Sequence, residues 1–266
     1  LLSGIVLVLV ALLTICSGGT VLYMTVLCLS LIGAGELFRV MKVREDKWNL
    51  LEITGYAGVV IFYLSLLLHD PMYQMLALIL DLVLLMAVYV FTYPKYNANQ
   101  VMPAFFAIVY VGVMLSYVYQ TRMLDGGKFH VWLIFLCSWG CDTCAYCAGM
   151  LLGKHKMAPK LSPKKSVEGG IGGIVGAALL GAIFAVAANK ITGAGVNPAQ
   201  YAVICGVGGM ISQIGDLAAS AIKRNHDIKD YGKLIPGHGG ILDRFDSVIF
   251  TAPIIYYLAT FLAGRL

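Results

Sequence analysis

The sequence predicts an all-α polytopic membrane protein of about nine transmembrane helices, with two long functional loops on one side of the bilayer. Three observations predict it. Hydrophobic residues make up 59% of the 266-residue chain and charged residues only 12%, against about 45–50% and about 25% in an average soluble domain. Mean hydropathy is +0.83, and the excess lies in long runs, the first of which carries no charge before Glu36. Such runs recur to the C-terminus, each near the roughly 20 residues needed to cross about 30 Å of hydrocarbon.

In order, the apolar runs place spans near 1–16, 20–38, 51–68, 74–93, 101–120, 129–152, 169–189, 199–222 and 245–263. Ser17-Gly18-Gly19 separates the first two as a tight turn. The N-terminal run is too long for the apolar core of a signal peptide and lacks a basic flank. Of the 19 Lys and Arg residues, 15 fall in alternate connections: Arg39 to Lys47, Lys95, Lys154 to Lys165, and Lys223 to Arg244. Arg122, Lys128, Lys190 and Arg265 occupy the other side. The positive-inside rule then puts the N-terminus in the cytoplasm and the C-terminus outside. It also accounts for the net charge of +5 without nucleic acid. The expectation is one membrane domain, 1–266, with about 1–120 as scaffold and about 129–266 carrying the chemistry. Loops 153–168 and 223–244 are the long cytoplasmic ones, where functional residues concentrate.

Asp216, Ser220 and Lys223 share a helix face, and Asp216 lies about 10 Å below Lys223 at 1.5 Å per residue. A carboxylate at that depth is expensive unless it meets a cation or a wet cavity. Asp243 and Asp246, three residues apart, project from one face of the last span. Three such carboxylates in a basic surround suit a hard cation, above all Mg²⁺; balancing of neighbouring arginines is the plainer account of the pair. Gly237 to Gly240 is too glycine-rich for a helix, and its N–H groups can cradle an anion. His238 either donates to a phosphate or makes a structural hydrogen bond. Lys164 and Lys165, framed by Ser162 and Ser166 just before a helix, suit a triphosphate or serve only as topogenic charge.

Asp142 is a second deep carboxylate, roughly 15 Å from the cytoplasmic end of its helix, with Thr143 and Tyr146 nearby. Asp81 is also intramembrane and is expected to hydrogen-bond between packed helices. Cys137, Cys141, Cys144 and Cys147 spread over more than one helix face, which favours small core residues over a metal site. The glycines from Gly169 to Gly176 fail the dinucleotide spacing and read instead as small-xxx-small helix contacts.

The segment from Ser220 to Asp246, with Lys223, Arg224, Lys229, Asp230, Gly232, Pro236, His238, Gly239, Gly240, Asp243 and Arg244, resembles the 27-residue signature of the phosphatidate cytidylyltransferase (CDP-diacylglycerol synthase) family. Ser162 to Gly169 and Trp139 to Tyr146 resemble two further motifs of that family. The resemblance implies transfer of CMP from CTP to phosphatidic acid in the membrane, with Mg²⁺ and a monovalent cation such as K⁺. By it, Asp216, Asp243 and Asp246 would be ligands with Asp142 contributing. Lys223, Arg224 and Arg244 would offset phosphate charge, and Ser162, Lys164, Lys165, Ser166, Ser220, Lys229, Asp230, His238, Gly239 and Gly240 would line the nucleotide site. It further implies a homodimer and a bacterial inner membrane location with the site facing the cytoplasm. The alternatives are a CTP-dependent lipid kinase of the dolichol-kinase type, whose C-terminal segment is similar, and an ion-coupled transporter.

Overall fold

The computed structural model describes residues 2–44, 49–234 and 239–263. Within them run nine helices: α1 (Leu2–Ser17), α2 (Gly19–Val40), α3 (Leu50–Leu66), α4 (Pro71–Phe91), α5 (Ala98–Met123), α6 (Gly127–Leu152), α7 (Val167–Thr192), α8 (Pro198–Asn225) and α9 (Leu242–Ala263). They correspond one to one with the expected spans. Seven are long and apolar enough to cross a membrane, whereas α3 and the apolar part of α1, Val8–Ser17, are shorter. Gly18 makes the turn between α1 and α2 at φ 61°, a conformation that costs glycine little. Two helices contain a π turn, Ile108–Val113 in α5 and Leu136–Gly140 in α6.

The chain forms two compact units. The first comprises the residues up to Ser116 together with Ile228–Arg244, so the second long loop belongs with the N-terminal helices rather than with the rest of the C-terminal half. Its core joins α2 to α3, where the Tyr23 hydroxyl donates to the Tyr63 carbonyl at 2.8 Å and Ser30 Oγ lies 2.7 Å from the Tyr63 hydroxyl. Asn49 caps α3 by accepting from the Glu52 N–H at 2.8 Å, and Asp70 caps α4 by accepting from Met72. Both satisfy helix-end donors that have no partner within the helix. Arg44 Nε donates to both oxygens of the buried Glu52, at 2.7 and 2.8 Å.

Asp81 corrects an expectation in this unit. It is buried against Gly58 of α3, where a Cβ would lie 3.2 Å from its Cγ. Yet neither carboxylate oxygen has a hydrogen-bond partner among the described residues. The reason is local: the residue against it on α3 is Gly58, which has no side chain to donate.

The second unit comprises Tyr117–Asp227 and the rest of α9 from Phe245. Helices α6, α7 and α8 pack here through small residues. A Cβ at Gly172 would strike Ala148, one at Gly173 would come within 3.0 Å of the Cys141 carbonyl, and one at Gly176 would meet Cys144. The small-xxx-small pattern is thus the α6–α7 seam. Cys137 and Cys141 are buried, the former against Gly208 and the latter against Gly209, so both act as packing residues.

Between α6 and α7 the expected loop is a two-stranded antiparallel ribbon, β1 (Lys156–Ala158) and β2 (Ser162–Ser166), pairing Lys156 with Ser166 and Ala158 with Ser162. Its far end runs straight into α7, whose first turn is capped by Ser166 accepting from the Gly169 N–H at 3.2 Å. Its near end is tied to the same turn by Glu168, which accepts from the Lys154 and His155 N–H groups at 3.1 and 3.2 Å.

Candidate active site

A cavity of about 300 Å³ opens in the second unit where the ribbon meets α6, α7 and α8. Asp142 and Tyr146 of α6 line it, with Lys164, Lys165 and Ser166 of β2, Gly170 of α7, and Gln213 and Asp216 of α8. Each side chain has a mechanical reason to be there. The π turn at Leu136–Gly140 immediately precedes Cys141 and Asp142, and a π turn rotates the residues after it relative to a regular helix. The pairing of β2 with β1 and the Ser166 cap fix the two lysines at the mouth of α7.

Lys165 Nζ donates to Asp216 Oδ2 in an ion pair, and Ser220 Oγ donates to Asp216 Oδ1 at 3.4 Å. Gln213 Nε2 donates to the Gly170 carbonyl at 2.8 Å and to Cys141 Sγ at 3.7 Å, locking α8 to α7 and α6 under the cavity floor. Asp246 of α9 lies within electrostatic reach of Asp216, Asp142 and Lys223, and Asp142 within reach of Asp216 and Lys165. One Asp246 oxygen accepts from the Ser247 N–H at 2.8 Å. Three carboxylates thus lie within one another's electrostatic influence, with Lys165 and Lys223 as counter-charges.

Among the described residues no three His, Cys, Asp or Glu side chains converge closely enough to form an all-protein metal cage. That arrangement still fits Mg²⁺, which is usually held by one or two carboxylates plus substrate phosphates and keeps several waters. Asp142, Asp216 and Asp246 supply hard oxygen donors of that kind.

The signature loop belongs to the first unit and is organised by two buried carboxylates. Asp243 Oδ2 accepts from the Tyr231 N–H at 2.8 Å and the Gly240 N–H at 2.9 Å. Glu36 Oε1 accepts from Ile241 at 3.0 Å and Oε2 from Leu242 at 2.9 Å. Gly239 sits at φ 83°, and a Cβ there would press on Asp243 Oδ2 at 2.7 Å. The Gly240 N–H of the expected anion cradle, and those of Ile241 and Leu242 that follow it, are therefore turned onto the protein's own carboxylates. Lys229, Asp230 and Arg224 are exposed, and Arg244 is half-buried. Ser162 starts β2 and does not line the cavity. His238 lies outside the described residues.

Sequence reasoning missed Glu36 and Gln213. Glu36 left one signal, an isolated carboxylate ending an otherwise uncharged run; Gln213 left a lone amide in a Gly- and Ala-rich span.

A second, apolar groove of about 470 Å³ lies on the same helix pair, lined by Trp132, Phe135 and Trp139 of α6 and Leu180 and Phe184 of α7. On α7 the two linings lie ten residues apart, at Gly170 and Leu180, whereas on α6 they adjoin, with Thr143 and Cys144 in the groove and Asp142 and Ala145 in the cavity.

The Cytidylyltransferase family profile matches residues 1–262. The chain is 33% identical to a phosphatidate cytidylyltransferase of Bacillus subtilis (strain 168) over 238 residues, 85% of each chain. It is 32% identical over 262 residues to one from Staphylococcus epidermidis, and 31% identical over 265 residues to one from Staphylococcus aureus, in both cases across 97% of this chain and 96% of the relative.

Proposed function

Because the chain belongs to the cytidylyltransferase family, we propose that it transfers CMP from CTP to phosphatidic acid, giving CDP-diacylglycerol and pyrophosphate at the cytoplasmic face of a bacterial inner membrane. A phosphatidate oxygen attacks the α-phosphorus of CTP. A new P–O–P linkage forms, the bond to the bridging α–β oxygen breaks, and the electron pair leaves on pyrophosphate. The nucleophile is already anionic, so no strong general base is needed. The barrier is repulsion between two polyanions, which makes positioning and electrostatics the catalytic means.

The observation that carries this reading is the polar cavity in which Lys164 and Lys165 face Asp142 and Asp216. The lysines meet the CTP phosphates, while Lys223, with Arg224 and Arg244 of the signature, adds positive charge. Asp216 and Asp246, with Asp142, would hold Mg²⁺, which when bound offsets phosphate charge. The aromatic groove along α6 and α7 provides an apolar surface for the acyl tails, as expected of an enzyme whose substrate and product are both lipids. The family resemblance supports a working assembly of two copies.

Isotope placement tests the reaction. With phosphatidic acid and α-³²P-CTP, label enters the chloroform phase; with γ-³²P-CTP it stays aqueous as pyrophosphate. Label entering lipid from the γ position, with CDP accumulating, would make this a lipid kinase instead.

A further inference from the structure

Helix α2 lies in the half of the chain expected to be scaffold, yet it sends a charged side chain into the signature loop. Glu36 is 5% exposed, in an apolar helix where a leucine would pack without the cost of burying charge. Each carboxylate oxygen takes one N–H at the start of α9, from Ile241 and Leu242. These are charge-assisted bonds at a helix N-terminus, where a negative charge is favoured. Gly232 and Gly240 lie flush against the carboxylate, and a Cβ at either would collide with it. Glu36 therefore meets the loop at both Gly232 and Gly240.

The next residue, Asp243, continues the arrangement. Its Oδ2 takes the Gly240 N–H, so Glu36 and Asp243 together hold three consecutive amides. Asp246 comes three residues later on the same helix. We propose that Glu36 is a positioning residue for nucleotidyl transfer: it sets where α9 begins, and thereby where the carboxylate of Asp243, a ligand by the family resemblance, stands. The proposal rests on the functional reading above. A simple cap would only stabilise; a positioning residue also sets turnover. Glutamine at this position keeps the volume and one acceptor, but directs an NH₂ at an amide donor. One of the two N–H groups then loses its partner and the start of α9 shifts.

The test uses the full chain in nanodiscs, as wild type, Glu36→Gln, Glu36→Asp and Glu52→Gln. The last is a control: another buried carboxylate of the same unit, bound to Arg44. Amide exchange over residues 239–244 and steady-state kinetics are measured on the same samples. Glu36→Gln is expected to speed exchange over 239–244 by about tenfold and to lower kcat by about tenfold or more, with both KM values within about threefold, as for an interaction realised in the transition state. Glu36→Asp falls between, and Glu52→Gln leaves kcat and that exchange unchanged. Wild-type kcat in Glu36→Gln, unchanged exchange over 239–244, or an equal loss of kcat in Glu52→Gln would each overturn the proposal. If Glu36→Gln does not fold, Glu36→Asp decides. Wild-type kcat in it, or failure of it too to fold while Glu52→Gln folds, would make Glu36 a folding residue only. The exchange result stands whatever reaction the wild type catalyses, whereas lack of α-³²P transfer by the wild type would sink the functional reading alone.

Discussion

Replacing Lys165 by Met separates two jobs that its position implies, and the two respond with opposite signs. In the free protein Lys165 is the ion-pair partner of Asp216, so on the proposed function it fills the place Mg²⁺ would take. Both side chains are about a quarter exposed, at 27% and 25%. A pair at hydrogen-bond separation, roughly 3 Å, gains about 3–5 kcal/mol of Coulomb energy at an effective dielectric of 20–40. Desolvation and side-chain ordering reduce this to about 1–2 kcal/mol net. A metal binding Asp216 must first displace the lysine, so removing it returns that free energy to the metal. Lys165→Met should therefore bind Mn²⁺, followed by paramagnetic resonance without nucleotide, about 5–30-fold more tightly than wild type. The same variant should bind CTP about tenfold more weakly, having lost a phosphate contact. Asp216→Asn identifies the relevant Mn²⁺ signal by removing it. Unchanged or weaker metal binding in Lys165→Met would refute the exchange, and unchanged CTP binding would refute the phosphate contact.

Other perturbations test neighbouring parts of the account. Asp216→Asn and Asp246→Asn keep side-chain size and remove charge, and each should leave less than about a tenth of wild-type turnover in normally inserted protein. Lys164→Ala should raise the CTP KM several-fold more than the phosphatidate KM; a rise in the lipid KM alone would assign the ribbon to the lipid headgroup. Cysteines placed at Ser162 and Asn225 in a cysteine-free background should resist an impermeant thiol reagent in intact cells and react after permeabilisation, with labelling in sealed cells reversing the orientation. Arg44→Met strands the buried Glu52 without its guanidinium and should cost about 3–5 kcal/mol, read as a lower melting temperature; a shift within error would mean that Glu52 has found another partner.

The helices are legible in the sequence because hydropathy and charge alternation report directly on what lipid tolerates. Asp142 and Asp216 are legible for the same reason, each being a charge where none is cheap. The ribbon is not: Ser162-Pro163-Lys164-Lys165-Ser166 has no apolar alternation, and it forms because its ends are tied to the first turn of α7 by Ser166 and Glu168. The side-chain directions of α6 are also hidden, since the π turn before Asp142 breaks the regular helical count. Asp81 misleads because burial of a carboxylate ordinarily implies a donor nearby, and the facing helix has glycine there. Glu36 escapes because its partners come 205 and 206 residues later, a distance over which periodicity carries no information.

The segment from Gly237 to Gly240 is expected from sequence to cradle a phosphate with its own amides, and at Gly240, among the described residues, the geometry argues for a different division of labour. The N–H groups of Gly240, Ile241 and Leu242 are bonded to Asp243 and Glu36. A phosphate could take them only by displacing two buried carboxylates, each of which would then lose charge-assisted bonds worth about 1.5–3 kcal/mol apiece. Protein carboxylates thus use the same helix-end electrostatics that elsewhere bind anionic ligands. The small φ-permissive residues serve to let Glu36 and Asp243 approach. On the proposed function, neutralising the triphosphate then falls to side-chain cations, Lys164 and Lys165 above all, and Lys165 can exchange Asp216 for a substrate phosphate. Fixed carboxylates hold the loop, and on the proposed function the lysines of the ribbon handle the substrate. On this account the Lys165 and Glu36 variants should fail differently, the first in CTP affinity and the second in turnover.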